Sequence, residues 1–160
     1  MLKKISLALV LILFSCASFG SYVPKRNKVE YVAGVIYTEA LGQSDYAKGL
    51  VATTIWMRAG GDPDRIHEVC TIPKQFARSQ KNDDDEWESC LLYAKTMFNG
   101  TFNPLSIQHP SGDWIHPDHF LTTKLMRSKY CPSWAKGKWH KRVDDLSFLM
   151  LGKFRVTKEE

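Results

Sequence analysis

Hydrophobic side chains recur at helical spacing in three stretches of the chain. The first stretch ends near Gly42, the second stops at 60–63, and the third follows the acidic run 83–86 and stops at 99–100. The stripes are formed by Val29, Val32, Ala33, Ile36 and Ala40; by Ala47, Leu50, Val51 and Thr54; and by Trp87, Cys90, Leu91, Ala94 and Met97. Because apolar residues three or four positions apart share one face of a helix, the pattern predicts three helices.

The second half of the chain has a different pattern. From Asn103 to Trp114 it is rich in Pro, Ser, Gly, His and Asp, which favours a loop or a short hairpin. A further helix is predicted to begin around Pro117, and the short apolar run 147–151 is either a closing strand or a buried helical turn. With 160 residues, enough for one ordinary core, we expect a single domain that is mainly α with a small β element.

The first twenty residues have the composition of an export signal. Lys3 and Lys4 precede an apolar run at 5–14 that small residues follow. The run is shorter than the roughly 20 apolar residues of a membrane-spanning helix, so we expect a signal peptide at 1–20 and a mature domain at 21–160. Two alternatives stay open: residues 13–16 resemble an imperfect lipoprotein box, and the segment could be a signal-arrest-release sequence whose Cys16 later exchanges with a domain cysteine. The destination is the periplasm, the cell envelope or the exterior, with membrane contact through this segment alone.

The net charge and the cysteine spacing argue against several classes of function. The formal charge of +5 falls to +3 without Lys3 and Lys4, and no dense run of Lys and Arg suggests nucleic-acid binding. In an oxidising compartment Cys70, Cys90 and Cys131 are compatible with one disulfide, the third thiol staying alone or pairing with Cys16. Because none of them forms a CxxC pair, neither a structural zinc nor a thioredoxin-like site is expected.

Glu39 lies on the first predicted helix where a charge is unusual. A turn of about 100° per residue places it between Val32 and Val35 on the apolar face. Desolvation by these neighbours and the negative helix end near Gly42 would both raise its pKa, and a protonated carboxyl can serve as the acid of glycosidic cleavage. The alternative is a glutamate on the helix flank that reaches solvent or Arg58.

Several segments between Tyr31 and Phe154 resemble the SleB/CwlJ-type cell-wall hydrolases. Residues 35–43, with the letters VIYTEALGQ, are similar to the family helix I-Y-x-E-A-x-G-E, whose glutamate is the catalytic acid. Residues 49–58 are similar to G-x-x-A-V-A-x-V-x-x-N-R, with Met57 in place of asparagine. The stretch 66–76 ends in the family's Gln-Phe pair, and later His/aromatic and Pro-x-Trp elements are matched by 119–120 and 132–134.

The resemblance implies a lysozyme-like fold and an enzyme that cleaves peptidoglycan glycan strands between N-acetylmuramic acid and N-acetylglucosamine. By residue matching, Glu39 is the catalytic acid. Side chains that could line the sugar groove are Gln75, His119, Phe120 and Trp134, of which Trp134 could equally be core.

Two departures from the family pattern affect the mechanism. The segment 146–154 lacks the family's histidine, and Gln43 stands where a second acid is frequent. Both favour a one-carboxylate lytic transglycosylase that leaves a 1,6-anhydro sugar. Hydrolysis would need a placed water or a second carboxylate at about 5–9.5 Å, and the sequence leaves open whether Asp113 or Asp118 comes near.

Other chemistries have less support. His109, His116 and His119 do not follow a metal-ligand motif, so no metal and no cofactor is expected. No G-x-S-x-G elbow accompanies the serines at 106, 111 and 133. The alternatives retained are a hydrolytic lysozyme-type glycosidase, a phage endolysin, and a non-catalytic exported wall-binding protein on the same fold.

Overall fold

The protein is described by a computed structural model that covers residues 27–81 and 84–152. The proposed signal segment 1–20, including Cys16, lies outside the described residues, as do residues 153 and 154 of the family match, and the interpretations placed there stay predictions. Within the described ranges, no helix is both long and apolar enough to cross a membrane.

The three predicted helices are confirmed, and each begins at a side-chain cap. They are α1 (Lys28–Glu39), α2 (Asp45–Arg58) and α4 (Asp85–Phe98). Asn27 accepts a hydrogen bond from the N–H of Glu30 at 2.8 Å, and Ser44 and Asp84 cap α2 and α4 in the same way. Such caps satisfy backbone donors that have no partner within the helix.

Shorter helical segments connect these helices to the rest of the domain. A 3-10 turn at Pro63–Arg65 leads into α3 (Ile66–Thr71), and α5 (Thr123–Met126) is a single turn. Helix α1 packs mainly against α4, and side chains from α1, α2, α4 and the last strand form one core. Its fully buried members include Val32, Val35, Ile36, Leu50, Ile55, Met97 and Phe148.

The β structure consists of a hairpin and a three-stranded antiparallel sheet. Strands β1 (Ile107–Gln108) and β2 (Trp114–Ile115) form the hairpin, which confirms that alternative for the 103–114 segment. The sheet has the order β3-β5-β4, formed by β3 (His119–Thr122), β4 (Lys141–Val143) and β5 (Leu146–Leu149). The apolar tail is therefore a strand rather than a helical turn.

The hairpin region is attached to the middle of α2. Thr53 Oγ1 donates to the carbonyl of Gly49 and accepts the N–H of Leu105, each at 2.9 Å. A Cβ atom at Gly49 would lie 2.5 Å from Leu105 Cδ1 and 2.9 Å from the Tyr93 hydroxyl. Glycine at position 49 thus permits the close approach of this segment to α2.

Two predictions are wrong. The helix expected from about Pro117 is replaced by strand β3, because β5 supplies backbone partners such as the Leu149 carbonyl, which accepts the Asp118 N–H at 3.0 Å. The expected disulfide is also absent from the described residues, where Cys70, Cys90 and Cys131 are free thiols; a pairing with Cys16 lies outside them. Burial raises the pKa of Cys70 and of Cys90 to about 12, so both are protonated core residues.

Candidate active site

A cavity of about 530 Å³ opens between the end of α2, the α3 region and strand β3. The four residues predicted to line a sugar groove all line this cavity. They are Gln75, His119, Phe120 and Trp134. Trp134 is 43% exposed, so it belongs to the cavity wall and not to the core.

Aromatic contacts hold the β3 side of the cavity. The Phe120 ring lies 5.8 Å from Phe148 in the core and 6.2 Å from Phe76. The His119 ring lies 5.2 Å from Trp134. Rings with one side packed and the other at a cavity suit contact with the C–H faces of sugars.

Asp118 fixes the orientation of His119. Its carboxylate, in a residue only 5% exposed, bonds His119 Nδ1 at 2.9 Å and accepts the N–H groups of Leu151 and Gly152 at 2.8 and 2.6 Å. Burial opposes ionisation, but these hydrogen bonds outweigh it and the pKa of Asp118 lies below its ordinary value. The bond to Nδ1 leaves Nε2 as the ring nitrogen that can contact a ligand.

Arg58, at the end of α2, joins both sides of the cavity. Its Nε donates to the backbone oxygen of Asp118 at 2.8 Å, and its Nη1 donates to Gln75 Oε1 at 3.3 Å. The guanidinium lies 5.1 Å from the centre of the Phe76 ring. One cation thereby positions the strand and the loop that supply the polar groups of the cavity.

Glu39, the last residue of α1, lies next to residues of the cavity wall. Its Oε1 accepts the N–H of Ala77, two residues after Gln75. Burial raises the pKa of Glu39, while the Ala77 hydrogen bond and the Arg58 charge act in the opposite direction. The direction agrees with the predicted effect of desolvation, and the half-buried carboxyl also interacts with Arg58, the partner named in the alternative interpretation. Glu39 itself is not among the lining residues.

Comparison with known proteins identifies a solved structure with a similar fold. The crystal structure of the catalytic domain of the Bacillus cereus SleB protein superposes with a TM-score of 0.52 at 14% identity, covering 77% of this chain and 89% of that one. The chain has the SleB catalytic-domain fold. The predicted class, mainly α with a small β element, is thus confirmed, whereas an identity this low shows the fold alone. No protein-family model and no curated protein matches the sequence.

On this SleB fold, several cavity residues were missed by the sequence interpretation. Those that contribute charge are Arg58, Arg65, Glu68 and Lys74. Arg65 and Glu68 lie three positions apart at the start of α3, a helical spacing that could have placed them on one face. Among the described residues, Glu68 is the carboxylate that lines the cavity.

The other polar residues considered from the sequence lie elsewhere or have structural partners. Asp113 is in the β1–β2 hairpin and accepts the Ser111 hydroxyl at 2.8 Å. Gln43 Oε1 accepts the N–H of Asp145 at 2.9 Å, which ties the α1–α2 loop to the β4–β5 turn. His116 Nδ1 is 2.9 Å from the Leu105 carbonyl, and in the described part of the chain no three His, Cys, Asp or Glu side chains form a metal-binding group.

Proposed function

We propose that the protein cleaves the glycan strands of peptidoglycan between N-acetylmuramic acid and N-acetylglucosamine, with Glu39 as the general acid. The observation that carries the proposal is the position of Glu39: a half-buried carboxyl with a raised pKa, bonded to Ala77 and adjacent to the wall that presents Gln75 and Arg58. A carboxyl that keeps its proton nearer neutrality can protonate the leaving oxygen of a glycosidic bond. The SleB catalytic-domain fold supports a cell-wall lytic enzyme.

The charge of the cavity suits this substrate. Arg58, Arg65 and Lys74 outnumber Glu68 in the wall, while Trp134 and Phe120 provide aromatic faces. Peptide-bearing muramic acid combines a sugar ring with carboxylates, so it meets both features. The expected export of the mature domain would bring the enzyme to this polymer.

The carboxylates around the cavity favour transglycosylation. Asp118 already bonds His119 and two backbone N–H groups, and Gln43, where a second acid would stand, is engaged with Asp145. The proposal gives Glu68, the carboxylate of the described cavity wall, no role as base or nucleophile. Glu39 would then work alone: it gives its proton to the glycosidic oxygen, and as a carboxylate it takes the proton of the muramic acid 6-hydroxyl, whose oxygen bonds to C1. The product is a 1,6-anhydro sugar, and no water is consumed.

The test is digestion of purified peptidoglycan by the full chain, followed by mass spectrometry of the soluble fragments. The proposal predicts disaccharide peptides with 1,6-anhydro ends, which are lighter than reducing ends by one water. Reducing ends would assign a hydrolytic glycosidase or endolysin instead. Release of peptides without sugars would contradict glycan-strand cleavage.

A second candidate is a non-catalytic wall-binding protein on the same fold. It is favoured by the position of Glu39, which is not one of the described residues that line the cavity. Such a protein would sediment with insoluble peptidoglycan and release no fragments. Fragment release that the Glu39→Gln substitution abolishes would exclude it.

A further inference from the structure

A second cavity, of about 420 Å³, lies between the β1–β2 hairpin and the start of β4. The hairpin and the segment before β4 both contribute lining residues. These are Gln108, His109, Pro110 and Gly112, together with Trp139, His140 and Lys141. None of them lines the candidate active site.

The second cavity has the side-chain chemistry of a saccharide site. The half-buried Trp139 ring packs against the core, and its centre lies 4.5 Å from that of His109 in an edge-to-face arrangement. Gln108, the two imidazoles and the Lys141 ammonium supply hydrogen-bonding groups around that ring. An aromatic face with a few polar groups beside it is typical of sites for small polar ligands.

The charge around this cavity is positive. None of its described lining residues is an acid; exposed Lys136 and Lys138 lie in the segment leading into β4, and β4 itself carries exposed Lys141 and Arg142. The acids nearest in sequence to the lining residues are Asp113, Asp144 and Asp145, so the basic side chains outnumber them. The cavity is therefore suited to a ligand that bears negative charge.

The two cavities lie at opposite edges of the three-stranded sheet. His119 and Phe120 of the first cavity belong to β3, Lys141 of the second belongs to β4, and β5 lies between the two strands. Two strand spacings separate these edges by about 10 Å. A polymer bound at the first cavity is long enough to reach the second.

We propose that the second cavity is a non-catalytic binding site for an anionic saccharide, a sugar residue that carries a carboxylate or a phosphate. Trp139 packs against the C–H face of the sugar, and Lys141 pairs with the anion. This proposal is argued from the residues of the second cavity. It rests on the proposed function only in the choice of peptidoglycan as the polymer for the test. In the cell wall the anion comes either from the carboxylates of muramyl peptides or from wall phosphodiester polymers.

The experiment measures sedimentation of the full chain with insoluble walls, in a Glu39→Gln background so that the polymer is not consumed. Lys141→Glu is expected to weaken binding by about tenfold or more, the scale of one lost charge-assisted contact. Lys95→Glu makes the same charge change on an exposed position of α4 outside both cavities, and should bind like its parent. Walls stripped of phosphodiester polymers distinguish the sources: a Lys141 effect that persists assigns the carboxylate, and one that disappears assigns the phosphate.

Three results would overturn the proposal. They are equal losses in Lys141→Glu and Lys95→Glu, no loss in either variant, and equally tight sedimentation with neutral chitin. Thermal unfolding of both variants verifies that the fold is retained. The proposed function has a separate readout, because it is rejected by the lack of fragment release from the wild-type protein, whatever the sedimentation result.

Discussion

The Nε atom of Arg58 donates a 2.8 Å hydrogen bond to the backbone oxygen of Asp118. This bond joins the end of α2 to the start of the strand that carries His119 and Phe120, and the same guanidinium bonds Gln75. The Arg58 charge also lowers the pKa of Glu39 against the larger effect of burial. Arg58 therefore links the geometry of the cavity to the protonation of the proposed acid.

Replacing Arg58 by methionine tests this link. Loss of the cation should raise the pKa of Glu39 further, so the fall of kcat/KM on the basic side should move to higher pH. Loss of the bonds to Asp118 and Gln75 should lower kcat/KM by about 100-fold, the usual scale for misplaced active-site groups. The measurement is the pH profile of fragment release.

The matched control is Arg58→Lys, which keeps the charge and loses the planar fork. Its pH profile should stay close to that of the wild type, although its kcat/KM is reduced. If both variants shift the profile equally, the charge of Arg58 does not set the protonation of Glu39.

Glu39→Gln should make the protein more stable at pH 7. Burial raises the folded-state pKa of Glu39, so the wild-type stability from this group is present below the unfolded value of 4.5 and is lost as the pH rises through the folded pKa. Glutamine keeps an acceptor for Ala77 and carries no charge, so a gain of about 0.5–2 kcal/mol is expected at pH 7, the usual size of a stabilising substitution. Denaturant unfolding should show this gain over the wild type at pH 7 and not at pH 4. If the variant and the wild type were equally stable at pH 7 as well, Glu39 would not be a buried carboxyl with a raised pKa.

Asp118→Asn should destabilise the protein. An amide cannot accept all the hydrogen bonds that the carboxylate receives from His119, Leu151 and Gly152, so a loss of about 1–3 kcal/mol is expected at pH 7. Since the folded pKa of Asp118 is lowered, its contribution is present above the unfolded value of 3.8 and disappears as the pH falls through the folded pKa. Asp113→Asn, at an exposed hairpin position, should change unfolding by less than about 0.5 kcal/mol, and similar losses for the two variants would argue against a special role of Asp118.

Gln43→Glu tests the one-carboxylate mechanism. Gln43 bonds the N–H of Asp145 in the β4–β5 turn, so a glutamate there should keep that acceptor role and stay away from the cavity. The expected result is an unchanged proportion of 1,6-anhydro ends in the mass spectrum of the products. A shift toward reducing ends would mean that a carboxylate at position 43 can direct water to the sugar.

The helices of this fold could be predicted from the sequence because their signals are local. Periodic apolar residues and the stops near 42, 60 and 99 lie within or beside the helix they define, and so do the caps at 27, 44 and 84 that the structure shows. Strand β3 could not, because it is stabilised by pairing with β5 near residue 149. The disulfide was expected from the compartment alone, and among the described residues Cys70, Cys90 and Cys131 are free thiols.

The candidate site also has a part that the sequence could predict and a part that it could not. The residues of the cavity that a sequence motif contains, such as Gln75 and His119, could be named in advance. Contacts between distant segments could not, and these include the Arg58–Asp118 bond and the position of Glu68 in the cavity wall. Sequence spacing predicts neighbours within one helix, whereas these contacts depend on how α2, α3 and β3 pack.

The most direct test compares Glu39→Gln with Glu68→Gln, because Glu68 is the carboxylate of the described cavity wall and Glu39 is the proposed acid next to it. Both variants are incubated with purified peptidoglycan, and soluble fragments with 1,6-anhydro ends are counted by mass spectrometry. We predict that Glu39→Gln lowers fragment release by at least about 100-fold, the lower range for a general acid, and that Glu68→Gln retains most of it. Wild-type release by Glu39→Gln, or a comparable loss in Glu68→Gln alone, would contradict the assignment of Glu39.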